Sequence, residues 1–175
     1  MTDVQDEQAA GTPPGPPSIF SADDSVEALW IKSYQGEILG EVLFGRIADQ
    51  QGDPDRKHKM EMLALLERRT KEAIVPALER AGISTDADPE TLQSAEALAE
   101  VSAALDWSDI VGSIEPITLQ YLEMYTRIGQ LDPTEQAAAD LLVAHEKALR
   151  EFGRRESAGD GTRSLQAIEA LPHVG

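Results

Sequence analysis

Four residues in this chain carry the types and spacing of a metal site: Glu37, Glu41, Glu67 and His145. Each falls within an apolar helical stripe. There an ionisable group is costly unless it is paired, protonated or bound to a cation. Carboxylate oxygens with one imidazole suit iron or manganese, and vacant coordination positions would admit oxygen or a substrate. Such sites tolerate several carboxylates at close range because the ion's charge is neutralised. Tyr121, Tyr125 and Thr70 fall nearby, which makes the two tyrosines candidate catalytic groups, as proton or electron donors. The same residues also admit a purely structural reading. A charged His145 against Glu37 or Glu67, with a tyrosine hydrogen bond, would fix helix register without any chemistry.

The elements that must position these groups are helices, read by projecting the chain at about 100° per residue. The spacing predicts a helix over 25–49, with Ser21 or Asp24 near its start. Trp30, Tyr34, Phe44 and Ala48 form one stripe, with Glu37 and Glu41 inside it. Ile31, Ile38, Val42, Leu39, Leu43 and Ile47 flank that stripe, so this helix is apolar nearly all round, as a buried helix or a dimer seam would be. Gly36 and Gly40 would let a neighbouring backbone come close. A second helix covers 54–81, with Glu67 central among Met60, Leu63, Ile74 and Leu78 and with Thr70 at the margin. Pro76 should kink it, His58 faces away, and Gly82 is a natural stop.

A short helix is expected at 89–105 and a third long one at 107–129, bent around Gly112 and Pro116. Its inner side carries Ile110, Ile114, Ile117, Tyr121, Tyr125 and Ile128, while Glu115 and Glu123 point outward. Asp132-Pro133-Thr134-Glu135 is a good helix start for a fourth helix ending near 156. His145 is central on its inner stripe and Glu146 lies about a quarter-turn off. A last short helix covers 163–171. No alternation long enough for a strand is present.

Two connections are short, near 50–54 and 130–132, and the one between the hairpins is long. That is the pattern of two helical hairpins joined by a crossover; an up-down-up-down bundle with a lid helix is the alternative. Glu67 and His145 each lie about 14 residues past their turns, and the Glu37–Glu41 pair brackets the matching position on the first helix. At about 1.5 Å rise per residue, all sit about 21 Å from a turn.

Several segments resemble the ferritin-like proteins. Tyr34-Gln-Gly-Glu-Ile-Leu-Gly-Glu-Val-Leu-Phe44 is similar to their first helix. Leu66-Glu67-Arg68-Arg69-Thr70 sits where the second carries Glu-x-x-His, and Val143 to Leu149 is similar to the fourth. The resemblance covers about residues 25–156. It implies an all-α, ferritin-like four-helix bundle, often dimeric, that in many members binds two irons and uses oxygen. Thr70 stands in place of one histidine and Leu142 in place of a glutamate. Three carboxylates and one histidine therefore remain of the family's four and two.

Composition sets the outer bounds. The 175 residues hold 15 Lys and Arg against 32 Asp and Glu, and no Cys. A net charge of −17 disfavours nucleic acid and anionic membrane surfaces as partners. The lack of Cys excludes disulfides and thiolate chemistry. No spanning segment or secretory signal is evident, so the expectation is a cytoplasmic protein. Residues 1–24 read as an acidic, Pro-rich disordered tail, 25–156 as the bundle, and 157–175 as a loop and short helix. The expected function is that of an iron- or manganese-dependent oxidoreductase or oxygenase acting on a small, largely apolar substrate, in a homodimer. The alternative is a non-catalytic ferritin-like domain whose inward Glu and His form a structural network, acting by association or by holding a small ligand.

Overall fold

A computed structural model describes residues 18–175; most of the segment read as a tail lies outside them. Among the described residues the chain is helical, with no strand: α1 Val26–Gln50, α2 Pro54–Arg80, α3 Pro89–Ser102, α4 Trp107–Gly112, α5 Ile114–Leu131, α6 Gln136–Ser157 and α7 Gln166–Glu169. No described helix is long and apolar enough to cross a membrane.

Local chemistry sets the starts. The Ser25 hydroxyl accepts from the Ala28 N–H and caps α1, in place of the expected Ser21 or Asp24. Asp53 and Asp88 cap α2 and α3, each followed by a proline in the first turn, where the missing N–H costs nothing. At the end of α2, Gly82 takes φ +70° and lets the Ile83 N–H reach the Leu78 carbonyl at 2.9 Å. α2 runs through Pro76 without a break. The expected 107–129 helix is interrupted at Ser113 and resumes as α5. Pro116 has no N–H to offer the Gly112 carbonyl, which is the physical reason for a break there. Pro133–Glu135 forms a single 3-10 turn and α6 begins one residue later.

Four helices build the core. α1 packs on α2 and α5 on α6; α1 also meets α5, and α2 meets α6. Two apolar clusters divide the core along its length. One holds Phe44, Met60, Leu63, Ile114, Leu149 and Phe152. The other holds Leu29, Trp30, Leu78, Tyr125, Ile128 and Leu142. α1 and α6 run from the second cluster to the first, and α2 and α5 run back. The crossover must therefore traverse the full length, and α3 does so against α1. Ala95 and Ala99 are its buried residues, small enough to let it lie close on the outer apolar side of α1. The crossover thus accounts for much of that all-round apolar surface.

The flanking segments also join the bundle. Ile19 and Phe20 pack on the second cluster, the Ile19 N–H donates to Gln120, and Arg127 donates to the Ala22 carbonyl. Residues 18–24, expected in the tail, are therefore seated on α5. Beyond α6, Ile168 and Val174 enter the first cluster.

Leu63→Ala removes a side chain with no exposed surface and should cost about 2–5 kcal/mol. Asp53→Ala removes a cap alone and should cost about 1 kcal/mol. Urea denaturation of the two variants measures both.

Candidate functional site

Between the two apolar clusters lies one polar layer. Each of three helices contributes to it at the level where its apolar contacts switch from one cluster to the other: Glu37 from α1, Glu67 and Thr70 from α2, His145 and Glu146 from α6. All five are buried, with exposures of 5% or less. Tyr125 of α5 closes the layer and donates its phenol hydrogen to Glu37 Oε1 at 3.0 Å. Its ring stands 5.7 Å from that of Tyr121.

Glu37, Glu67 and His145 each place one ligand-type atom within 4.8 Å of the others, an arrangement that could hold a metal ion. His145 Nδ1 is 3.4 Å from Glu37 Oε2, and Nε2 is 3.6 Å from Glu67 Oε1. Nε2 is also 3.9 Å from Glu146 Oε1.

Glu41 is absent from this group. Its carboxylate turns to the edge of the α1–α2 hairpin, where Arg68 donates to one oxygen and Lys71 to the other. Partial burial opposes ionisation there, but those two bases hold its pKa below the usual value. Glu41 lies about 40° around α1 from Glu37, enough to exchange a desolvated position for one with two cations. Glu146 was placed off the inner stripe by projection, yet it is 4% exposed. A signal was present: Leu142, Leu149 and Gly153 lie four before, three after and seven after it. That is a second apolar row on α6. Glu115 pairs outward with Arg150, and Glu123 and His58 are exposed, as expected.

Gly36 and Gly40 of α1 admit side chains rather than a backbone. A methyl group at Gly36 would stand 2.9 Å from the Tyr121 ring and hydroxyl. At Gly40 it would stand 2.6–2.9 Å from all three atoms of the Glu67 carboxyl group. Gly40 is thus the seat of the Glu67 head group.

Burial governs the electrostatics. It pushes the carboxyl groups of Glu37 and Glu146 well above their usual range and that of Glu67 up to about 8. For Glu37, the His145 charge acts against burial. Burial lowers the pKa of His145, opposed by Glu37. It also raises both tyrosines, helped at Tyr125 by the charge of Glu37. Burial therefore favours the uncharged form of each of these groups. Even so, the layer is not satisfied. A protonated Glu37 can offer its Oε2 hydrogen to Glu67, but His145 Nε2 and Glu146 Oε2 have no hydrogen-bond partner.

A cavity of about 500 Å³ adjoins the layer. Glu37, Glu67, Glu146, Tyr121 and Tyr125 form its polar wall, and the remaining lining is mainly apolar, including Leu39, Leu43 and Phe44. It reaches the surface between α3 and α5 at Leu98, Val101, Leu105 and Ile117, all at least 40% exposed. Ile117, read as an inward core residue, lines this mouth. The bundle is open on that side.

Compared with family models, curated proteins and solved structures, the chain matches none. The geometry must carry the functional reading.

Gly40→Ala and Gly45→Ala should move stability in opposite directions. Nothing lies within 4 Å of a methyl group at Gly45, so that change should gain up to about 1 kcal/mol of helix propensity. At Gly40 the collision with Glu67 should outweigh the gain, for a net loss of about 1–2 kcal/mol. Chemical denaturation of the pair measures the difference.

The shifted groups also predict a pH dependence for chelator-treated protein. A carboxyl group whose pKa is raised by folding stabilises fully below its unfolded value, and that stability fades as pH climbs to the folded value. For Glu67 the window runs from 4.5 to about 8, and Glu37 and Glu146 act with the same sign. The lowered histidines act with the opposite sign, but their effect is complete above their ordinary pKa of 6.5. Between pH 6.5 and 8 unfolding free energy should therefore fall, by up to about 1.4 kcal/mol per pH unit for Glu67 alone, the slope easing as pH nears 8. Urea titrations across that interval provide the check.

Proposed function

We propose that the protein is a ferritin-like, metal-dependent oxidoreductase that acts on a small apolar molecule held in the cavity. The observation that carries this reading is the pair of unpartnered buried atoms, His145 Nε2 and Glu146 Oε2, beside Glu37 and Glu67. A purely structural network satisfies its members, since an orphaned buried polar group costs about 1–3 kcal/mol. Here one atom from each of Glu37, Glu67 and His145 lies within 4.8 Å of the others, as the ligands of one ion would. The reversal of chain direction, two hairpins with a full-length crossover, supports the ferritin-like likeness.

Glu37, Glu67 and His145 would hold the ion, with Glu146 at its margin; Glu41 keeps its surface pairs. Oxygen and nitrogen donors of this kind suit iron or manganese. When bound, such an ion supplies redox and oxygen chemistry. The protein's own groups supply the rest. Tyr125 holds a hydrogen on Glu37 Oε1 and can return a proton to the polar end of the cavity. Tyr121, on the same wall, faces the incoming molecule. The apolar lining binds the substrate's hydrocarbon surface and excludes water from the reacting end.

The test is metal content and affinity of the full chain expressed with iron and manganese, then of Glu67→Gln. Glutamine imitates the protonated glutamic acid in shape and charge, so the fold should persist with an unchanged circular dichroism spectrum. Ion affinity should drop at least tenfold, and in the parent protein it should rise with pH as the carboxyl groups release protons. Substoichiometric metal in the parent protein, or equal affinity in Glu67→Gln, would refute the proposal.

A further inference from the structure

The segment after α6 ends its course over the polar layer. Ser164 and Ile168 are fully buried and Val174 nearly so, and Arg155 of α6 donates to the Arg163 carbonyl and to Gln166. This anchoring holds His173 against α2. Its Nε2 lies 3.1 Å from Thr70 Oγ1, and the same oxygen lies 2.7 Å from His145 Nδ1. A hydrogen-bonded chain, His173–Thr70–His145, thus runs from a half-buried imidazole to the centre of the layer.

Thr70 has one hydroxyl hydrogen to place between two ring nitrogens. Two arrangements follow. In the first, His145 carries its proton on Nδ1 and donates to Thr70, which donates to His173 Nε2. In the second, every donor is reversed, and the His145 proton sits on Nε2. The surroundings of Nδ1 decide between them. Besides Thr70 Oγ1, its neighbour is Glu37 Oε2 at 3.4 Å. With the Oε2 hydrogen of Glu37 directed to Glu67, a proton on Nδ1 faces two oxygens able to accept, whereas a lone pair there would face the remaining lone pair of Oε2. Nε2 is then a bare lone pair directed to the Glu67 and Glu146 side.

We propose that His173 is a positioning residue, which acts through Thr70 to hold His145 as the Nδ1–H tautomer and keep Nε2 free as a ligand atom. A ligating histidine needs its other ring nitrogen tied in this way. Thr70 takes that role here, and His173 removes the ambiguity of the hydroxyl. The benefit to an ion rests on the metal reading above; the tautomer is measurable with no ion present.

The experiment uses the full chain with ¹⁵N-labelled histidine after chelator treatment. Long-range ¹H–¹⁵N spectra assign a proton to one ring nitrogen. His145 should show a protonated Nδ1 and an unprotonated Nε2. His173→Ala and Thr70→Val should shift it to mixed or reversed tautomers, whereas Thr70→Ser should restore the parent pattern. In manganese(II) titrations followed by the spin resonance of the free ion, the first two variants should bind about 10–100-fold more weakly. Loss of a half-buried side chain at His173 should leave thermal unfolding cooperative, so that variant stands even if Thr70→Val does not fold. A protonated Nε2 in the parent protein, or an unchanged tautomer in His173→Ala, overturns the proposal. A tautomer shift in a protein that binds no manganese or iron upholds the positioning role and removes the metal reading.

Discussion

Desolvated carboxyl groups at the middle of the bundle are the constraint on which the rest of the structure depends. Glu37, Glu67 and Glu146 lie where water cannot solvate them, in one layer between two apolar clusters. An ionised carboxylate in such a place is expensive, and a protein meets that cost with protons, hydrogen bonds or a cation. This chain uses the first two incompletely. Burial favours the protonated form of the carboxyl groups, and Tyr125 and Thr70 supply hydrogen bonds. His145 Nε2 and Glu146 Oε2 are still without partners.

The neighbouring elements follow from that layer. Gly40 is a glycine because the Glu67 carboxyl group occupies the place of its side chain. Arg68 and Lys71 draw Glu41 away to the hairpin edge, which keeps a fourth carboxylate out of the same low-dielectric space. The crossover must return along the whole bundle, so α3 covers α1 and leaves an apolar opening beside α5. Polar groups at the inner end and hydrocarbon along the walls give the cavity a direction.

Much of the helical plan was legible because its signals are local. Asp53-Pro54, Asp88-Pro89 and Gly82 mark helix ends through their own backbone chemistry, and the apolar stripes of α2 and α6 follow from helical periodicity. Glu37, Glu67 and His145 could be singled out because each interrupts an apolar stripe, and Tyr125 because its hydroxyl lies on one. Glu41 misled because projection gives an angle but not the neighbour at that angle. Glu146 was missed because α6 packs on more than one element, and its buried arc is wider than a single stripe. The break at Ser113 could be anticipated as a bend from Pro116, since a missing N–H is a property of the residue itself.

The sequence by itself determined the helices, their order, the short and long connections, and which helices carry inward ionisable groups. These depend on residue type and on a fixed periodicity along one chain segment. Tertiary structure decided which of those groups meet. It seated Glu67 over Gly40, sent Glu41 to Arg68 and Lys71, opened the cavity between α3 and α5, and brought His173 to Thr70 from 103 residues away. No periodicity encodes such contacts. They arise when separate segments compete for the same buried volume, and desolvation favours the arrangement that leaves the least charge uncompensated.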